Sequence, residues 1–205
     1  MKNKLHVIYV PGIGDNNPQL QAKAISTWKL YGVEPELFQM NWADKRPWQV
    51  KFDQLLGRID ELSGQGHNVA LVGASAGGGA VVNAYAARKD KVVGVVTISG
   101  KIHRPDKIGS RYRKNNSSFV ESAYAVPDSL EKLSPQDREH ILCRFGLFDE
   151  IVPVNESRID GAKNLYAPTL FHGPSIAFQL LFGAVSLMGF LKKQMSAIST
   201  GTKVS

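Results

Sequence analysis

Apolar residues recur along this chain in two alternating rhythms. Short unbroken runs, such as LHVIYV at residues 5–10 and VALV at 69–72, have the length and β-branched content of buried strands. Longer segments space their apolar residues three or four apart. Trp48, Phe52, Leu55, Leu56, Ile59 and Leu62 thus share one stripe of a helix, which Gly64 and Gly66 then end. The pattern predicts strands over residues 5–10, 36–42, 68–72, 92–99, 141–145 and 163–170. It predicts helices over 18–31, 48–62, 76–88 and 174–192, the first with Asn17 as cap and Pro18 in its first turn. Strands separated by helices imply an α/β fold: a mostly parallel six-stranded sheet covered by helices on both faces. Residues 100–139 break the rhythm, with no strand pattern over a long connection. They are expected to form a lid with one or two short helices inside a single domain spanning 1–205.

The small-residue segment GASAGGGA follows the third strand without a gap. Gly73-Ala74-Ser75-Ala76-Gly77 is a G-x-S-x-G pattern between a buried strand and a helix, the setting that exposes a serine hydroxyl at the end of a sheet. In open α/β sheets, ligands bind outside the carboxyl ends of the strands. The first strand ends there in Pro11-Gly12-Ile13-Gly14-Asp15, the fifth in GLFDEIVP and the sixth in Phe171-His172-Gly173. A nucleophile, an acid and a histidine therefore fall on one edge, in the order Ser75, Asp149, His172. Glu150 is the rival acid. His6, His67, His103 and His140 are the rival bases, but only His172 follows the last strand. Asp15 reads as a polar turn residue.

In these motifs the chain resembles the α/β-hydrolases. The resemblance spans nearly the whole length and rests on the serine turn, on the Ser-acid-His order and on GLFDEIVP, which is similar to that family's acid turn. It implies a minimal hydrolase fold lacking the family's first two strands. It implies a Ser75-His172-Asp149 triad, with the N–H groups of Ile13 and Ala76 as oxyanion donors. Many members carry His-Gly where this chain has Pro11-Gly12, and Gly12 still permits a tight turn. The activity implied is cleavage of a small-molecule carboxylic ester through an acyl-enzyme, with thioesters, lactones and amides open on the same triad. A non-catalytic protein of the same fold, binding a membrane surface or a partner, is the other reading. Within the lid, Phe119 and Tyr124 are the apolar residues expected to contact an acyl group.

Composition narrows the remaining classes. With 43% hydrophobic and 21% charged residues, 205 residues suffice for one domain with a sizeable core. Cys143 is the single cysteine, so no disulfide framework forms within the chain. It reads as a buried strand residue rather than a nucleophile. The first apolar run is too short for a secretory signal, and a cytoplasmic protein is expected. The net charge of +7 is partly concentrated in Lys101, Arg104, Lys107, Arg111, Arg113 and Lys114, opposed by Asp106. That cluster is either a solvated loop or an attractor for an anionic substrate or membrane surface. No aromatic-basic array or recognition motif accompanies it, so no nucleic-acid partner is expected.

Gly12-x-Gly14 lacks the third glycine of a dinucleotide fingerprint, and Gly73 to Gly79 lacks the Lys-Ser/Thr of a phosphate loop. No Cys/His/carboxylate group has metal-ligand spacing, so neither metal nor cofactor is expected. The run IAFQLLFGAVSLMGFL at residues 176–191 is apolar nearly all round. It reads as a helix buried against the sheet, with a membrane anchor as the alternative. Nothing in the pattern sets an oligomeric state.

Overall fold

A computed structural model describes residues 4–15 and 18–199. Six strands form one sheet in the order β2-β1-β3-β4-β5-β6: β1 Leu5–Val10, β2 Val33–Leu37, β3 Asn68–Ala74, β4 Val92–Ile98, β5 Ile141–Phe148 and β6 Lys163–Leu170. Every pairing is parallel. The central strands have both faces covered, and β4 (VVGVVTI) is buried at every position. That is why these strands read as unbroken apolar runs rather than alternations.

On one face lie α2 (Trp48–Gly64), α3 (Ala76–Ala87) and α5 (Ser117–Glu131). Their side chains close a core with Ile8, Val10, Leu71, Val95 and Phe145. On the other face lie α1 (Gln19–Ser26), the 3-10 turn Thr27–Tyr31, α8 (His172–Leu181) and α9 (Ala184–Ser199), packed on Val7, Tyr9, Val72, Val96 and Leu142. From β2 the chain crosses behind β1 to β3. The strand order therefore reverses between β1 and β3, which opens a crevice at their carboxyl ends.

Four expected boundaries move, and among them the fifth strand runs on past 145 to Phe148. The second strand is Val33–Leu37, not 36–42. It is an edge strand paired only with β1, where Pro35 costs no central ladder bond. Asn41, at φ 51°, turns the chain out of the sheet. The apolar residues beyond are core of a loop: buried Trp42 stacks on Trp48 at 6.3 Å and donates its indole N–H to Pro11 O at 3.1 Å. The first helix tightens to a 3-10 turn from Thr27, and its expected cap Asn17 lies outside the described residues. The last helix is two, α8 and α9, bent by 62°. Leu187, Met188 and Leu191 of α9 are buried against the sheet. Among the described residues no single helix is long and apolar enough to cross a membrane.

The connection over residues 100–139 divides into two parts. A short 3-10 turn (Pro105–Lys107) and α4 (Ser110–Asn115) run past the carboxyl ends of the strands. The rest, α5 and α6 (Pro135–Glu139), is a crossover that packs on the sheet layer. Val126 and Ala123 of α5 are buried, and Asn83 on α3 donates to Ser122 O at 2.9 Å. The segment held as one lid is thus half core helix, because a parallel connection from β4 to β5 needs a crossover of this kind.

Candidate active site

Ser75 occupies the turn between β3 and α3, with φ 52° and ψ −118°. A non-glycine residue held there costs about 1–3 kcal/mol, and the surroundings enforce it. Ser75 N donates to Ile98 O at 2.9 Å, and Ser75 O accepts from Gly78 N at 2.9 Å and Lys101 N at 3.0 Å. The flanking glycines are steric necessities: a Cβ on Gly73 would sit 2.7 Å from Val81 Cγ2, and one on Gly77 would sit 2.8 Å from Pro11 O. Without side chains at both positions, strand, turn and helix come close enough to present the hydroxyl.

Asp149 and His172 meet across the ends of β5 and β6. His172 Nδ1 lies 2.8 Å from Asp149 Oδ2 and 3.0 Å from Oδ1. Asp149 Oδ1 also accepts from Ile151 N at 3.0 Å and Val152 N at 2.8 Å. Burial by itself raises this carboxyl's pKa. The bond to His172 and the two backbone donors outweigh it, so the net shift is below the ordinary value and Asp149 is held ionised. Glu150, the rival acid, faces elsewhere: its Oε2 accepts from His172 N at 3.0 Å, at the start of α8. The rival histidines lie away from the cavity that Ser75 lines. His6 meets Glu36 at 2.8 Å and packs edge-on against His67, and His103 Nε2 meets Arg158 O at 2.8 Å. His140 follows α6, ahead of β5.

Ser75 and His172 line one cavity of ≈ 210 Å³, with Ile13, Lys101, Lys107, Ile108, Tyr112, Phe119, Ile151 and Val152. Among the described residues no hydrogen bond joins Ser75 Oγ to the imidazole. Ile13 follows Gly12, where an added Cβ would stand 2.8 Å from Ser75 Cβ, so the β1 loop passes directly beside the hydroxyl. Ala76 is the first residue of α3, a position whose N–H has no intrahelical acceptor. A second cavity of ≈ 570 Å³ shares Ile13 and Tyr112 with the first, and Asp15, Asn41, Asp44, Arg111 and Asn116 are among its lining residues.

Two expectations change here. Phe119 lines the first cavity and is buried, but Tyr124 does not line it. One and a half turns further along α5, Tyr124 is half exposed on the outer side. Half of the basic cluster is also held in local contacts. Lys101 is buried in an ion pair with Glu156, Arg104 pairs with Asp106 at 2.9 Å, and Arg113 donates to Ile108 O at 2.8 Å. Of the six cations, Lys101, Lys107 and Arg111 border the cavities, and of these Lys101 is held by Glu156.

Ile108, Tyr112, Ile151 and Val152 also line the site, and motif reading passes over them. Ile151 and Val152 had a signal, since they follow the acid directly in GLFDEIVP. Asp15 is a buried turn residue accepting from Asn41 N at 2.6 Å, as its sequence position suggested. Cys143 is fully buried on β5, and burial pushes its thiol up to about 11, which leaves it inert.

No protein-family model and no curated protein sequence matches the chain. Solved structures do resemble it. Est1E from Butyrivibrio proteoclasticus superposes with a TM-score of 0.70 at 16% identity, covering 96% of this chain and 90% of that one. A structure reported with LipS and LipT, two metagenome-derived lipolytic enzymes, gives 0.68 at 13% identity over 93% of this chain and 94% of that one. The Paleococcus ferrophilus monoacylglycerol lipase gives 0.59 at 16% identity over 92% and 94%. The parallel sheet with its reversal beside β1, the serine turn after β3 and these likenesses over nearly the whole chain establish that the protein has the α/β-hydrolase fold.

Proposed function

We propose that the protein is a serine hydrolase that cleaves small carboxylic esters through an acyl-enzyme, with Ser75 as nucleophile, His172 as base and Asp149 as the acid that orients it. The observation that carries this reading is the Asp149–His172 bond opening into the same cavity as the strained Ser75 turn. The bond to Asp149 fixes the proton on Nδ1 and leaves Nε2 free to accept one. Nε2 takes the Ser75 proton as Oγ attacks the acyl carbon. The tetrahedral oxyanion is stabilised by the N–H groups of Ile13 and Ala76, aided by the positive end of α3. The imidazolium then protonates the departing alkoxide, and a water repeats the sequence on the acyl-enzyme. A serine–imidazole contact that is open without substrate commonly closes in the substrate complex.

The two cavities suggest how an ester sits. The smaller, with Ile108, Phe119, Ile151 and Val152, suits a short acyl chain. The larger one, where Asn41, Asp44, Arg111 and Asn116 offer polar contacts, suits the alcohol. The test is hydrolysis of p-nitrophenyl acetate, butyrate and decanoate by the wild type and by Ser75→Ala. The expected result is a burst of nitrophenolate, preference for the short chains, and a loss of roughly 10⁴-fold or more in Ser75→Ala. Equal rates for wild type and variant would leave a non-catalytic protein of this fold.

A further inference from the structure

The two helical layers of this molecule differ in kind. No Asp or Glu occurs between Asp15 and Glu34, and none after Asp160. Those two stretches supply α1, its 3-10 turn, α8 and α9, which together cover one face of the sheet. They are in mutual contact: Trp28 Nε1 donates to Leu180 O at 2.8 Å, and Lys192 Nζ approaches Gly32. The whole layer is therefore free of helical carboxylates, while Lys23, Lys29 and Lys193 stand exposed on it. Glu34 on the neighbouring edge strand is paired with Lys4 at 2.8 Å. The opposite layer is ordinary by comparison, with Asp53, Glu61, Glu121, Asp128 and Glu131 exposed on α2 and α5.

The same acid-free layer carries large apolar side chains in water. Leu30 is 85% exposed, Phe182 is 72% and Val185 is 60%, with Leu20 and Leu181 also exposed. Single exposed apolar residues mean little, but these five belong to one layer that also carries exposed lysines. Its chemistry is that of an interfacial helix: apolar groups that enter the acyl boundary and lysines that meet anionic headgroups. We propose that the α1/α8/α9 layer docks the protein on an anionic lipid surface. The positive charge favours that occupant over a second copy of the same layer, because two such faces would bring lysines against lysines. The docking face is distinct from the basic connection after β4, where Lys101 and Arg104 are paired with Glu156 and Asp106.

Co-sedimentation of the intact protein with phosphatidylglycerol vesicles and with phosphatidylcholine vesicles tests this directly. The wild type is expected to bind the first, to leave the second, and to be released by salt. Lys23→Gln with Lys29→Gln is expected to weaken partition about fivefold per lysine. Leu30→Gln with Phe182→Gln and Val185→Gln is expected to weaken it by at least roughly tenfold. All five side chains lie outside the core, and thermal unfolding checks that the variants fold. A Phe182→Trp protein supplies a second readout, because Trp28, Trp42 and Trp48 are buried and the added indole should shift to shorter wavelength on phosphatidylglycerol alone. Equal partition onto phosphatidylcholine, no partition, or full partition by both variant sets would overturn the proposal. So would a dimer in solution that the apolar variant dissolves without any vesicle binding. None of these readouts depends on ester hydrolysis, so this inference and the proposed reaction fail separately.

Discussion

Asp149 accepts hydrogen bonds from Ile151 N, Val152 N and the His172 ring, so both its oxygens are engaged. Asparagine in its place retains an oxygen for the backbone donors but turns an amide N–H toward Nδ1. Nδ1 must then become the acceptor, and the proton moves to Nε2, where no base remains for Ser75. Asp149→Asn is therefore expected to lower kcat about 10⁴-fold with little change in thermal unfolding. Glu150→Gln keeps an oxygen on His172 N and is expected to stay within about tenfold of wild type. Reversal of that ranking in steady-state kinetics would move the acid role to Glu150. At this scale the sequence carried much: the strand-end order selected Ser75, Asp149 and His172, and the structure joins the last two. It did not carry Tyr124. Helical spacing places Phe119 and Tyr124 on one amphipathic element, but five residues turn a helix by about 140°, so they cannot both face the cavity.

Between β3 and α3 the limiting quantity is space. Gly77→Ala drives a methyl into the backbone carbonyls of Val10 and Pro11, neither of which can swing aside. A loss of about 3 kcal/mol in unfolding free energy by urea titration is expected. A loss below about 1 kcal/mol would mean that the loop after β1 is not held against the turn. The β2 edge answers to pH instead. Glu36 accepts from Arg58 Nη2 at 2.7 Å and meets His6 at 2.8 Å. Burial opposes its ionised form, but the His6 and Arg58 bonds outweigh that and bring its pKa down from 4.5 to about 2. A depressed carboxylate contributes stability above its unfolded pKa and loses it as pH falls through the folded one. The stability gap between wild type and Glu36→Gln should hold at neutral pH and close between 4.5 and about 2. A gap that persists below that window would assign Glu36 no ionic role.

Those boundaries also show what apolar pattern can and cannot carry. The buried strand β1 begins and ends where its apolar run does, because burial on a parallel sheet writes itself as a run. Met40 and Trp42 have the same apolarity but fill a loop, and only the reversal at Asn41 separates the two cases. The break between α8 and α9 is invisible for a similar reason: residues 176–191 are apolar on both sides of it.

At the scale of the whole molecule, some cations are held in ion pairs, some lie on the acid-free layer, and two exposed ones, Lys107 and Arg111, border the cavities. The last two cations are expected to favour esters that carry a negative group. The value of kcat/KM for a short anionic ester should fall with rising salt while that of a neutral analogue holds, because screening shortens the reach of the field. Arg111→Glu should remove the difference; identical salt responses would make these cations solvated surface. The central claim is that Ser75 is a nucleophile activated by His172. It is tested most directly by reacting the wild type, Ser75→Ala and His172→Ala with a fluorophosphonate and reading the adducts by intact-protein and peptide mass spectrometry. The account predicts one adduct on wild type, located on the peptide containing Ser75, none on Ser75→Ala, and labelling slowed at least about a hundredfold in His172→Ala. An adduct of unchanged rate on Ser75→Ala, or none on the wild type, would contradict it.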